Sequence, residues 1–505
     1  MDRVFADGTT EDARATRSDP RGGDESAPAV AVARRAQACW GPTPLRERLT
    51  IVRRFRHLLA EHAPALAEAA GRAGGPRLAE TLASEVLPLA DACRFLEREA
   101  GRLLRPRRLG RRGLPAWLFG VEAEVRREPF GVVLVIGPSN YPLLLPGVQA
   151  IQALVAGNAV VWKPGAGGEP AARALAGLLV EAGLIPDLLR RLPESPEAAR
   201  GAIAAGVDKV VLTGSAETGR AVLADLAPRL VPATVELSGC DAVFVRAEAD
   251  LDLVARALAF GLRLNGGATC IGPRRVFVPR ERAEELEHRL AALLRREATD
   301  AVPLPPPPLV GQDASARIDE ALDAGARLVT CLLRDDGYAG PVVVAGARPD
   351  MRLVRADTFA PVLALVSVED DDEALRAADS CPFALGAAIF GDPIEARRLA
   401  GRIKAGAVVI NDLIVPTADP RLPFGGRRRS GFGVTRGAEG LLEMTAIKVV
   451  ATRRGRFRPH YDPPVETDAE LFRAYLAAAH GATIGRRLAA ASSLLKRLRV
   501  REAHQ

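Results

Sequence analysis

Gly131 to Trp162 carries no charged residue over 32 positions, and any fold of this chain must hide that stretch from water. It is long enough to cross a bilayer. Two interruptions argue against that. Gly137-Pro138-Ser139-Asn140-Tyr141-Pro142 breaks it near the start, and Gly157-Asn158 breaks it again. Gly and Pro are poor residues for the interior of one long helix. The stretch reads instead as strand, loop, buried helix and strand: GVVLVIG, then Leu143 to Ala156, then Asn158-Ala159-Val160-Val161-Trp162.

The same alternation continues on both sides. Residues 30–100 are helical by spacing, clearest over Arg46 to His62 and Leu82 to Leu96. VEAEVRREP alternates as an exposed strand does. Ala171 to Ala182 and Gly219 to Leu226 are expected helices around a strand at Lys209 to Leu212. A second block begins near Gly239. Its strands are AVFV, RRVFVP, GPVVVAG, PVLALVSV, GAAIF and GAVVIN, and its helices Glu281 to Arg296, Ala314 to Ala326 and Asp372 to Ala378. Strands alternating with helices over short connections predict parallel sheets covered on both faces, an α/β fold. The run Pro303–Pro308 is a stiff exposed loop. At 505 residues the chain exceeds what one core usually holds, so at least two domains are expected.

Composition narrows the function classes. Apolar residues make up 48% and charged residues 26%, the proportions of a globular protein. Aromatics at 4% leave few platforms for single-stranded nucleic acid. The net charge is +7, but residues 451–505 hold eleven basic and five acidic residues, so the body is nearly neutral. That distribution is not a nucleic-acid-binding face. Six cysteines (39, 93, 240, 270, 331, 381) lie far apart with no CxxC, as in a reduced, cytoplasmic protein. The six histidines form no metal-binding spacing, and no metal site is expected. The first 27 residues are polar, without an apolar segment, and read as a disordered tail.

Four segments could carry chemistry. In Asn265-Gly266-Gly267-Ala268-Thr269-Cys270-Ile271-Gly272 the glycines allow close backbone approach beside a thiol, the arrangement a nucleophile needs. In Thr234-Val235-Glu236-Leu237-Ser238-Gly239 a Glu ends an apolar strand, where burial would raise its pKa toward that of a general base. In Ile136-Gly137-Pro138-Ser139-Asn140 an amide projects at the carboxyl end of a strand and could donate to an oxyanion. In Val161-Trp162-Lys163-Pro164 a Lys ends a buried strand, in a chain where only five of 69 basic residues are Lys. Taken singly, these are also the patterns of an inert buried thiol, an edge-strand Glu, a turn Asn and a chance Lys. Thr213-Gly214-Ser215-Ala216-Glu217-Thr218-Gly219 adds a strand-to-helix junction able to take a pyrophosphate.

Together and in order, PFGVVLVIGPSNYPL, AGNAVVWKP, LTGSAETG, VELSG, NGGATC, DTFAPV, ALGAAIFG, GAVVIN and PFGGRRRSGFG resemble the NAD(P)-dependent aldehyde dehydrogenase superfamily, from about residue 30 to about residue 450. The resemblance implies a nucleophile at Cys270, a general base at Glu236 and an oxyanion donor at Asn140. It implies NAD or NADP contacts at Ile136, Pro138, Lys163, Gly214, Ser215, Gly219, Leu237, Asp357 and Phe359. It also implies a Rossmann-type parallel-sheet cofactor domain over 28–109 and 130–238 and an α/β catalytic domain over 239–440. A small β arm for oligomerisation would comprise 110–129 and 441–452, and a homodimer or homotetramer would form through it. The implied reaction oxidises an aldehyde to the acid through a thiohemiacetal and a thioester on Cys270. The alternatives are transfer of the acyl group to coenzyme A, against which Glu236 argues, and a catalytically silent scaffold.

Six positions depart from the family pattern and bear on cofactor geometry and choice. Ser139 replaces an aromatic, Ala268 a Gln, Cys240 a Lys and Ala360 a Gly. Asp357 replaces a Glu, and Ala166 stands where a carboxylate is expected, with Glu169 following later. Apolar residues around Tyr141–Pro146 lean toward an aliphatic or aromatic aldehyde.

Residues 453–505 form a basic extension, helical from Ala469 to Val500. Ile484, Leu488, Ala491, Leu495 and Leu498 share one face, with Arg486, Arg487, Lys496, Arg497 and Arg501 mostly on the other. Such a helix packs on protein or makes a peripheral contact with an anionic membrane.

Overall fold

The charge-free stretch folds as its breaks dictate. In a computed structural model describing residues 25–71, 75–300, 311–334, 337–456 and 458–502, it forms strand Val132–Ile136, helix Leu144–Ala156 and strand Ala159–Lys163. All thirteen residues of that helix are buried, which explains why it lacks a polar face. Gly157 ends it in the left-handed conformation at φ 97°. The buried Asn158 then takes the N–H of Gly131 and donates to the carbonyls of Ala153 and Met444. Of the tail expected over residues 1–27, residues 1–24 lie outside the described residues, as does the proline run, whereas Ser26 and Ala27 already belong to helix Ser26–Trp40, with Ser26 buried.

Strand Val132–Ile136 is central in a six-stranded sheet of order 431–432, 233–236, 209–213, 132–136, 159–163, 189–191. All pairings are parallel except that of Gly431–Phe432 with Ala233–Glu236. The chain leaves the central strand on one side to 159–163 and returns on the other at 209–213. Ligands bind outside the carboxyl ends of strands at such a switch point. A second, seven-stranded sheet runs 327–334, 337–345, 362–368, 273–279, 241–245, 386–390, 407–410. It is parallel but for the hairpin between Arg327–Arg334 and Gly337–Ala345. A third, three-stranded sheet orders 107–109, 121–129 and 445–453.

The chain divides into two units, Met1–Arg107 with Val125–Lys448, and Arg108–Glu124 with Val449–Gln505. The first contains both large sheets. In the second, helices Glu466–His480 and Ile484–Glu502 pack on each other. Ile484, Leu488 and Leu495 remain 75%, 67% and 61% exposed, and Leu498 has no described side chain. No described helix is long and apolar enough to cross a membrane.

The expected elements differ from the observed ones mainly at edges. Arg327–Arg334 was not foreseen as a strand, and the preceding helix ends at Asp323 rather than Ala326. The edge strand Leu189–Arg191 has three residues, too few to show a period. The strand Thr445–Arg453 runs one residue past the 441–452 arm expected from the resemblance.

The start of helix Leu144–Ala156 depends on a distant carboxylate. Glu85 is fully buried, and its Oε2 accepts the N–H of Leu143 and of Leu144 at 2.7 and 3.2 Å. A buried carboxylate there satisfies orphan donors and suits the positive end of the helix. Glu85→Ala is expected to lower unfolding free energy by about 2–4 kcal/mol, from loss of charge-assisted hydrogen bonds. Chemical denaturation followed by fluorescence checks it. An unchanged midpoint would mean that water replaces the carboxylate.

Candidate active site

The Asn265–Gly272 segment is a tight turn. Asn265, Gly266 and Gly267 have φ of 52°, 60° and 78°. At Gly267 a Cβ would stand 2.3 Å from the Pro361 nitrogen, so only glycine fits. The turn's carbonyls are held by side chains. Asn140 Nδ2 and Asn265 Nδ2 donate to Ala268 O at 2.9 and 3.1 Å, and Asn265 Nδ2 also to Asn140 O at 3.0 Å. Glu80 accepts the Asn265 N–H at 2.7 Å. Beside the thiol, the Tyr141 and Thr269 hydroxyls are 2.7 Å apart and buried.

Cys270 Sγ donates to Glu236 Oε1 across 3.8 Å. Glu236 ends strand Ala233–Glu236, paired to Thr213 on one side and Gly431 on the other. Its Oε2 is buried with no partner. Burial pushes its pKa up to about 7, while Arg436, Cys270 and Thr435 pull down. Burial, with the carboxylates of Glu236 and Asp241, also pushes the Cys270 thiol up. The resting pair is thus a protonated thiol whose nearest acceptor titrates near neutrality. A buried polar atom without a partner is costly, and a reacting water is one group that could satisfy it.

Arg436 completes this cluster. It is buried, with Cζ 4.4 Å from the Phe424 ring centroid and Nη1 donating to Thr417 O at 2.8 Å. Phe424 packs in the small apolar cluster that Cys270 adjoins. The guanidinium favours the charged forms of both Glu236 and Cys270.

The model of the family described as "Aldehyde dehydrogenase family" matches residues 16–450. The chain belongs to the aldehyde dehydrogenase family. It is 32% identical over 454 residues to the 4,4'-diapolycopene aldehyde oxidase of a Methylomonas species, covering 88% of this chain and 85% of that one. Among solved structures it resembles an NADP-dependent glyceraldehyde-3-phosphate dehydrogenase from Bacillus halodurans complexed with NADP. There the TM-score is 0.76 at 27% identity, over 85% of this chain and 91% of that one. It also resembles a Mycobacterium tuberculosis aldehyde dehydrogenase complexed with NAD+, with a TM-score of 0.77 at 27% identity over 86% and 92% of the two chains.

The switch point of the six-stranded sheet is where ligands of such sheets gather, and residues expected to contact a dinucleotide stand there. Ile136, Pro138, Lys163 and Gly214–Ser215 stand at or just past the carboxyl ends of its three middle strands. Ser215 caps helix Ala216–Leu226, its hydroxyl taking the Thr218 N–H at 3.1 Å. Gly219 follows in the first turn, where a Cβ would meet Leu237 Cδ1 at 2.7 Å. Its role is therefore close packing under Leu237, which keeps the helix N-terminus against the sheet. Lys163 is half-buried, and burial lowers its pKa against the pull of Glu194 and Glu197. Phe359 holds a strained φ of 43° with its ring 44% exposed. Asp357 is different: its Oδ1 accepts from Arg274 Nε at 3.3 Å and from the Phe359 N–H at 2.8 Å.

Arg274 and Arg436 escaped the sequence reading. In a chain with 69 basic residues, nearly all Arg, no single Arg stands out, and only burial distinguishes these two.

Cofactor choice follows from the loop after Lys163. Ala166 is exposed, and Glu169 is tied to Arg173 at 2.8 Å and to Arg191. Glu194 is engaged by the N–H groups of Gly167 and Glu169, both at 2.8 Å. A 2′-phosphate would meet Lys163 without a free carboxylate on residue 166. Steady-state kinetics are expected to show kcat/KM for NADP+ within about a hundredfold of that for NAD+, under about 3 kcal/mol. A larger preference for NAD+ would mean that Glu169 or Glu194 acts as the excluding carboxylate.

Proposed function

We propose that the protein oxidises an apolar aldehyde, aliphatic or aromatic, to its carboxylic acid with NAD+ or NADP+, with Cys270 as nucleophile. The observation that carries the mechanism is the Cys270–Glu236 contact inside a turn whose backbone is fixed on every side. Lys163, Ser215, the 214–219 turn and the 136–138 strand end would hold the dinucleotide, with Asp357 and Phe359 toward its nicotinamide half.

Cys270 gives its proton to Glu236 and attacks the aldehyde carbon, forming a thiohemiacetal. The Asn140 amide, held beside the nucleophile turn, donates to the developing oxyanion, with the Cys270 N–H as second donor. The bound dinucleotide supplies the hydride acceptor that turns the thiohemiacetal into a thioester. Once the Cys270 proton has passed from Glu236 to solvent, its carboxylate, with Oε2 unpartnered, takes a proton from water as that water attacks the thioester carbonyl, releasing the acid and restoring the thiolate. Arg436 keeps Glu236 competent as a base in a site that otherwise favours its neutral form. The buried, apolar residues Tyr141 and Leu143–Leu145 support an uncharged substrate.

Cys270→Ala is expected to abolish NAD(P)H formation while cofactor binding persists. Glu236→Gln is expected to slow the NAD(P)H burst, since Cys270 loses its proton acceptor, and to slow steady-state turnover further, since acid release also requires the base. In the wild type, the deacylation-limited rate is expected to rise as pH climbs through about 7, because the carboxyl acts only when ionised. Stopped-flow absorbance resolves burst from steady state. A Glu236→Gln enzyme with unchanged turnover would remove Glu236 from the mechanism, and stimulation by coenzyme A would favour acyl transfer.

We further propose a cytoplasmic homo-oligomer whose basic C-terminal helix meets anionic membranes, supported by exposed Ile484, Leu488 and Leu495 beside Arg486 and Arg487. Full-length protein is expected to sediment with phosphatidylserine vesicles at low salt, and protein ending at residue 464 is not. If both stay in solution, the helix is a protein-packing element.

A further inference from the structure

Arg274 takes no part in the chemistry above, yet its side chain is bound throughout. It is 2% exposed and sits near the start of strand Pro273–Pro279, within the seven-stranded sheet. Its Nη2 donates to the carbonyls of Gly267 and Thr269 at 2.8 and 3.0 Å, its Nη1 to the carbonyl of Ala360 at 3.2 Å, and its Nε to Asp357 Oδ1 at 3.3 Å. Two acceptors belong to the nucleophile turn. The other two belong to the segment carrying Asp357 and Phe359. One planar group, mounted on a sheet strand, therefore joins the two loops. Only a guanidinium has enough donors in a fixed plane for four acceptors; a Lys ammonium has three donors and no fork.

Asp357 is held at its other points as well. Its backbone carbonyl accepts from Arg317 Nη1 at 2.8 Å, and the Phe359 N–H shares Oδ1 with Arg274. The direction of the carboxylate is thus set, with Oδ2 left for another donor. This matters because Asp is one methylene shorter than Glu. A shorter arm cannot search for a ribose hydroxyl and must be aimed from its base.

We propose that Arg274 is a positioning residue that locks the nucleophile turn and Asp357 into one unit, so that the carboxylate is presented to the nicotinamide half of the dinucleotide in register with Cys270. The inference rests on the cofactor and nucleophile assignments made above. It differs from a purely structural role in being lopsided. Lys163, at a strand end, and Ser215, capping helix Ala216–Leu226, would hold the adenosine half and do not touch Arg274.

Binding of NAD+ and of ADP to full-length protein without aldehyde, measured by calorimetry, separates the two roles. Arg274→Lys and Asp357→Asn are each expected to weaken NAD+ about tenfold, the scale of a hydrogen bond to a charged group, with ADP affinity unchanged. The double variant is expected to bind NAD+ no worse than the weaker single, because both changes break one link. Alkylation of Cys270 by iodoacetamide is expected to change rate in Arg274→Lys and not in Asp357→Asn, which leaves the carbonyl contacts in place. Equal weakening of NAD+ and ADP, or no effect on either, would overturn the proposal. Should Arg274→Lys fail to fold, Asp357→Asn still decides: unchanged NAD+ affinity there is refutation. An active Cys270→Ala enzyme would refute the nucleophile assignment without touching the NAD+/ADP asymmetry.

Discussion

Three successive carbonyls, those of Gly267, Ala268 and Thr269, are all bound by side chains. Arg274 takes the first and third, and Asn140 and Asn265 share the middle one. With the acceptors of the turn occupied, its backbone has no freedom to rotate a carbonyl toward an incoming aldehyde, where it would repel the oxygen that must become an oxyanion. Catalytic preorganisation is of this kind: dipoles are fixed before charge develops and need not reorganise when it does. The left-handed backbone of three residues is the cost, on the order of 1–3 kcal/mol for the non-glycine Asn265, and the side-chain bonds offset it. Asn140 thereby has two tasks. Its amide holds the turn and, in the mechanism we propose, also donates to the substrate oxygen.

Much of this architecture was legible in the sequence. The β-branched runs of the two large sheets are buried on both faces, so their hydrophobic signal is continuous and unmistakable. The strands that escaped were edges. Leu189–Arg191 is too short for a pattern, and Arg327–Arg334 alternates imperfectly because its pairing slips twice against Gly337–Ala345. At the site, Cys270, Glu236 and Asn140 were marked by their neighbours: paired glycines, an apolar strand end, a Pro-rich turn. Asp357 was found from its motif, but its engagement by Arg274 was not, since the partner lies 83 residues away and carries no local mark. Tertiary pairing of a common residue type leaves no trace in spacing.

The buried charges around Cys270 make one balanced set. Glu236, Asp241 and Asp357 face Arg274, Arg275 and Arg436, all nearly or fully buried. Burial raises each carboxyl, and with the opposing groups included Glu236 and Asp241 stand at about 7. The arginines oppose it unequally. Arg274 and Arg275 spend most of their donors on backbone carbonyls, so they act mainly as structural cations. Among the described residues Arg436 has a buried Nε without a partner and makes one hydrogen bond, to Thr417, so more of its field reaches Cys270 and Glu236. Removing a charge from a buried set leaves its opposite uncompensated, which is far more costly than the pair is stabilising. In the proposed mechanism thiolate formation at Cys270 moves a negative charge from Glu236 to the sulfur within this set, and the field of Arg436 is what that anion would meet. The turn fixes where the Cys270 thiol stands, and the arginine balance bears on when it can ionise.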